Sequence, residues 1–136
     1  MRPKLIILVE NDLNLRQSIV LILQRAGFLV TDTDCVYEAL DLLQLRSYQL
    51  VISDINIPET SQVLIPKILA GFPHLSLIIL TDQPLQDLPK EDRLLSAHYL
   101  VKPLAPERLL DCVGSLLGHR GKPDYPNNGS QLGLGG

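Results

Sequence analysis

Apolar residues in this chain gather in short continuous runs, and between the runs they recur every three or four positions. Leu5–Val9 is the longest run and is strand-sized. After it, Asp12 or Asn14 can cap a helix on which Leu15, Ile19, Ile22, Leu23 and Ala26 share one face, and Gly27 ends it. Phe28-Leu29-Val30 predicts a short second strand, and Asp34 can cap a second helix with Val36, Ala39, Leu40 and Leu43 on its inner face. Leu50 to Asp54 predicts the third strand. Ile57-Pro58 breaks the chain before a helix around Val63 to Ala70, which Gly71 and Pro73 stop, and Leu75 to Thr81 predicts a fourth strand. Pro84 and Pro89 remove amide donors, so the next helix is short, starting near Pro89 with Leu94 and Leu95 turned inward. His98 to Val101 predicts the fifth strand, and Pro106 fits the first turn of a last helix carrying Leu109, Leu110, Val113, Leu116 and Leu117. That helix is core first and dimer surface second.

Strands that read as unbroken apolar runs imply a sheet covered by helices on both faces, hence an α/β fold with a doubly wound, five-stranded parallel sheet. In such a sheet the strand carboxyl ends share one edge, which is where ligands are held. Three of the runs end in polar groups: Asp54 closes the third, Thr81 the fourth, and Lys102 follows the fifth. An acid, a hydroxyl and an ammonium therefore converge. Taken singly, each has a plainer reading. Asp54 serves as a turn former, Thr81 as a cap for the following segment, Lys102 as a surface lysine, and Glu10 as a complement to the positive end of the first helix. Tyr99 reads equally as a core-edge aromatic with its hydroxyl in water.

Composition narrows the classes. The 136 residues, 46% of them hydrophobic, suit one domain that buries about two-thirds of its unfolded surface. No run nears the roughly eighteen apolar residues of a membrane span. The basic opening Met1-Arg2-Pro3-Lys4 lacks a secretory cleavage site, so the expected location is cytoplasmic. A net charge of −3 with no basic cluster argues against direct nucleic-acid binding. Cys35 and Cys112 are too few for a zinc set and read as small buried fillers, and His74, His98 and His119 lack ligand spacing. From His119 onward the chain is rich in Gly, Pro, Asn and Ser, which divides it into a domain over residues 1–118 and a flexible tail or linker over 119–136.

Four motifs in order, Val9-Glu10-Asn11-Asp12, Ser53-Asp54-Ile55-Asn56-Ile57-Pro58, Leu80-Thr81 and Tyr99-Leu100-Val101-Lys102-Pro103, resemble the receiver domain of two-component response regulators, over roughly residues 4 to 118. The resemblance implies a flavodoxin-like (βα)5 fold. It implies that Asp54 is the phosphoacceptor, a nucleophile toward the phosphohistidine of a histidine kinase or phosphotransfer protein. It further implies that Glu10, Asp54 and the backbone carbonyl of Asn56 hold Mg2+, that Thr81 and Lys102 stabilise the phosphoryl charge, that Tyr99 is the aromatic switch, and that Pro103 follows a cis bond. Such a domain catalyses its own phosphorylation without being a turnover enzyme, and it passes the signal to a downstream protein or fused effector.

The chain also departs from the pattern. Asn11 stands where the family has a second acid, which weakens magnesium binding. Asp82 stands where the family keeps a small residue, and a carboxylate about 5 Å from an incoming phosphoryl repels it by roughly 3 kcal/mol per unit charge at a dielectric near 20, unless it turns outward or supplies the missing metal ligand. Glu59-Thr60-Ser61 lacks the usual glycines, and Pro84 and Pro89 disrupt the fourth helix. These departures support an alternative, a pseudo-receiver that binds partners independently of phosphate. A third class, a haloacid dehalogenase-like hydrolase, places its second acid two residues after a nucleophile on the first strand, whereas here Asn56 follows an acid on the third.

Overall fold

All five predicted strands form in the computed structural model, which describes residues 3–87 and 97–118. They are β1 (Leu5–Val9), β2 (Leu29–Thr33), β3 (Leu50–Asp54), β4 (Ser76–Thr81) and β5 (Ala97–Val101). Four α-helices lie among the described residues: α1 (Leu13–Arg25), α2 (Val36–Leu45), α3 (Ile65–Gly71) and α4 (Pro106–Leu117). A π-helical turn, Thr60–Leu64, leads into α3, and a 3₁₀ turn, Leu85–Asp87, follows β4. The short helix expected near Pro89 lies outside the described residues, as do His119 and the tail.

Every strand pairing is parallel, in the order β2-β1-β3-β4-β5. Alternate side chains of each strand point to opposite faces, so one sequence run feeds two cores. On one face Ile7, Val9, Val51, Leu77 and Ile79 pack beneath Val36, Ala39 and Leu43 of α2 and Ile65 and Ile68 of α3. On the other, Ile6, Leu8, Leu50, Ile52, Ile78 and Leu80 pack beneath Ile19 and Leu23 of α1 and Leu109 and Val113 of α4. Burying each such aliphatic side chain contributes about 1.5–3 kcal/mol, which is why these runs are dominated by aliphatic residues. The sheet is doubly wound, and the strand order reverses between β1 and β3. That switch point opens a crevice at their carboxyl ends.

Local chemistry sets the element ends. Asp12 caps α1, its Oδ1 accepting from the Leu15 amide at 3.1 Å. Gly27 and Gly118, at φ +96° and +68°, take the left-handed turns that follow α1 and α4. Asp34 does not cap α2. Cys35 occupies the cap position with no side-chain bond of its own, and Thr33 Oγ1 accepts the Cys35 amide at 3.1 Å. Thr33 is buried at the end of β2, where its hydroxyl already faces the helix start, whereas Asp34 points to water. Cys35 is accordingly exposed rather than a buried filler, and Cys112 is partly buried. β2 runs three residues beyond the expected Phe28-Leu29-Val30, through Thr31-Asp32-Thr33, because pairing with β1 carries polar residues on this edge strand.

Candidate functional site

The carboxyl edge of β1 and β3 concentrates charge in an almost dry space. Glu10 leaves β1 fully buried, and Asp54 ends β3 with 2% exposure. Between them reaches Lys102, from the residue after β5. Its Nζ donates to Asp54 Oδ2 at 2.7 Å and lies 3.1 Å from Glu10 Oε1. Pro103 then turns the chain through a cis peptide bond. Three strands that are distant in sequence thus supply one ammonium between two carboxylates.

Backbone groups hold both acids in place. Asp54 Oδ1 accepts the Asn56 amide at 2.9 Å, and Glu10 Oε2 accepts the Asp12 amide at 3.0 Å. Glu10 Oε1 is buried with no well-formed hydrogen bond among the described residues, and the Lys102 ammonium 3.1 Å away is its ion-pair partner. Burial raises the Glu10 pKa above the ordinary carboxylate value; the Asp12 amide and Lys102 pull it down, and the Asp54 charge pushes it up again. Burial by itself lowers the Lys102 pKa, but the bond to Asp54, the contact with Glu10 and their two charges outweigh it and leave it raised.

Two supporting residues escaped sequence reading. Thr60, fully buried in the π-helical turn, donates to the Asp54 carbonyl at 2.7 Å and shares a hydrogen bond with Ser53 Oγ at 2.8 Å. A threonine in a polar loop carries no sign that its hydroxyl turns inward. Arg16 bonds the Glu10 carbonyl through Nη1 at 2.8 Å and Asp32 Oδ2 through Nε at 3.0 Å, bracing the exit of β1. Its position one turn into α1 was the available signal.

The β4 side is arranged differently. Thr81 is 1% exposed, and its Oγ1 accepts the Gln83 amide at 3.1 Å and bonds the Gln83 carbonyl at 3.2 Å. The hydroxyl is therefore engaged with its own turn, as the plainer reading had it, while the Thr81 carbonyl accepts the Lys102 amide at 2.8 Å. Asp82 is exposed and accepts from Asn56 Nδ2 at 2.5 Å. It does not join the acid pair, and no group of three His, Cys, Asp or Glu side chains gathers around one point among the described residues. Asn11 is exposed. Tyr99 is half-buried on β5, opposite Ile79, and packs against the core beneath α2 and α3.

The chain matches the family model of the response regulator receiver domain over residues 6–114. It is 34% identical over 110 residues to the response regulator protein FleR of Pseudomonas aeruginosa, a match covering 79% of this chain and 23% of that protein. Over 58 residues it is 36% identical to the cell cycle transcriptional regulator CtrA of Caulobacter vibrioides, covering 43% of this chain and 25% of CtrA. The chain spans about a quarter of the length of these curated relatives. Among solved structures, the signal receiver domain of an HD domain-containing protein from Pseudomonas fluorescens superposes with a TM-score of 0.73 at 25% identity, over 88% of this chain and 98% of that one. The receiver domain of a Pseudomonas aeruginosa sensor histidine kinase, with magnesium coordinated in its active-site cleft, gives 0.74 at 23% identity, over 86% and 99%.

Proposed function

Because the chain belongs to the response regulator receiver domain family, we propose that it takes a phosphoryl group on Asp54 from a histidine kinase or a phosphotransfer protein. An Asp54 carboxylate oxygen attacks the phosphorus of a phosphohistidine, an oxygen–phosphorus bond forms, the phosphorus–nitrogen bond breaks, and the imidazole leaves with the electron pair. The observation that carries this reading is the 2.7 Å contact of Lys102 with Asp54, beside the buried Glu10. Lys102 lies where charge develops on the transferring group. Thr81 releases Gln83 to bond the phosphoryl oxygen, and Tyr99 follows it inward.

Receiver domains generally bind magnesium, and the donor set here fits such an ion. Magnesium takes hard oxygens and keeps several waters, and Glu10 Oε1 is a buried anionic oxygen with no well-formed hydrogen bond among the described residues. Glu10, Asp54 and the Asn56 carbonyl would hold it, with Asn11 a weaker neighbour than an acid. When bound, the ion neutralises charge on the phosphoryl oxygens. No described helix is long and apolar enough to cross a membrane, and the proposed setting is the cytoplasm. Residues 1–118 act as the phosphoaccepting domain, a stoichiometric acceptor rather than a turnover enzyme. Residues 119–136 serve as a linker toward an effector or partner.

Incubation with a small phosphodonor and magnesium tests the reading. One phosphoryl mass should appear on the intact protein and be absent from Asp54→Ala. Saturating donor with no mass gain would leave the phosphate-independent module as the remaining function.

A further inference from the structure

Asp82 has no part in the acid pair, yet it is tied to it through one residue. The Asn56 backbone amide holds Asp54 Oδ1 at 2.9 Å while the Asn56 side-chain amide holds Asp82 Oδ2 at 2.5 Å. The second bond is charge-assisted and joins the loop leaving β3 to the loop leaving β4, 26 residues apart. Among the described residues, the one ammonium at the acid pair is already shared between two carboxylates. Glu10, Asp54 and Lys102 together therefore carry a net negative charge before Asp82 is counted, and Asn56 keeps that extra carboxylate from turning freely into solvent.

We propose that Asp82, pinned by Asn56, is a charge filter at the mouth of the pocket that selects phosphoryl donors of low negative charge. The proposal rests on the phosphoacceptor reading of Asp54. A dianionic donor must bring both its charges past the Asp82 carboxylate, whereas a monoanionic donor brings one. The repulsion between fixed charges near a surface falls with salt, so the discrimination does as well. A zwitterionic donor, or a protein donor that carries basic side chains beside its phosphohistidine, meets the smaller barrier.

The experiment compares initial rates of phosphoryl incorporation by intact mass, with acetyl phosphate as the dianion and phosphoramidate as the monoanion. The proteins are wild type, Asp82→Asn and Asn56→Ala. Asp82→Asn should raise the acetyl phosphate rate about tenfold and the phosphoramidate rate about threefold, a difference that narrows as salt rises. Asn56→Ala should raise the acetyl phosphate rate by a smaller factor, because the carboxylate remains but is free to turn to water. Asp82 is exposed, so its variants should fold, and matched urea midpoints verify this. Rates unchanged or lowered by Asp82→Asn overturn the filter, and so does an equal gain with both donors, which signals a steric effect. If neither donor modifies any of these proteins, the phosphoacceptor reading fails and the filter with it; if wild type is modified but the variants match it, only the filter fails.

Discussion

The two halves of the sheet's carboxyl edge are built on opposite plans. On the β1–β3 side Glu10 and Asp54 are buried, each carboxylate takes a backbone amide, and Lys102 bridges them. On the β4 side residues 82–87 are exposed, and the Thr81 hydroxyl is satisfied within its own turn. The first half stores unscreened charge in a fixed geometry, which is what electrostatic stabilisation of a transferring group requires. The second half is held by bonds that water can replace at little loss, so it is the half able to rearrange. The Asn56–Asp82 bond ties one to the other through side chains, beside the backbone bonds from the Lys102 amide to the Thr81 carbonyl and from the Ile55 amide to the Leu80 carbonyl.

The contrast breaks most severely at Lys102. Lys102→Met leaves two buried carboxylates without a cation, and removing one partner of such a buried cluster costs about 3 kcal/mol. Urea unfolding at neutral pH measures the loss; a cost below about 1 kcal/mol would mean that the buried half is held by its backbone bonds alone. The pH dependence has a definite sign. The folded ammonium binds its proton more tightly than the ordinary lysine value of 10.5, so its proton-linked stabilisation is complete below that value and is lost as pH rises through the higher folded one. The variant should lack that alkaline fall.

A smaller effect of opposite sign is expected at Glu10. Burial makes its ionised form unfavourable, so Glu10→Gln should stabilise the metal-free protein while weakening magnesium binding. The raised folded pKa means that the gain is full above that folded value and shrinks as pH falls through it toward the ordinary value of 4.5, where the unfolded carboxyl also protonates. Thermal unfolding in chelator and magnesium titration give the two readouts. Destabilisation in chelator would show that Lys102 offsets the burial of Glu10 in full.

The same contrast explains what could be read from the residues alone. Buried parallel strands are mostly apolar, so Leu5–Val9, Leu50–Asp54 and Ser76–Thr81 stand out, and strand ends on one edge bring Asp54 and Lys102 into contact, with Thr81 at the neighbouring strand end. The β2 edge strand carries polar residues and was read too short. Rotamer-level facts were not legible. Thr33 rather than the adjacent Asp34 serves the start of α2, Thr60 turns inward, and Asn56 reaches Asp82. In each case neighbouring polar residues are chemically equivalent candidates, and tertiary packing selects among them.

The least perturbing test lies at Thr81. Although the residue is buried, its hydroxyl bonds an exposed Gln83 in a turn where water can take over, so Thr81→Val should cost only about 0.5 kcal/mol of stability. Urea unfolding of the variant beside Lys102→Met places both halves on one scale. A loss above about 2 kcal/mol would mean that the β4 exit is held as firmly as the acid pair, and the division into a fixed half and a movable half would collapse. If the loss is small, the turn is free to give up Gln83 at a cost that one charge-assisted bond to a phosphoryl oxygen exceeds. Under the proposed phosphorylation of Asp54, rearrangement of the β4 exit would then need no further source of energy.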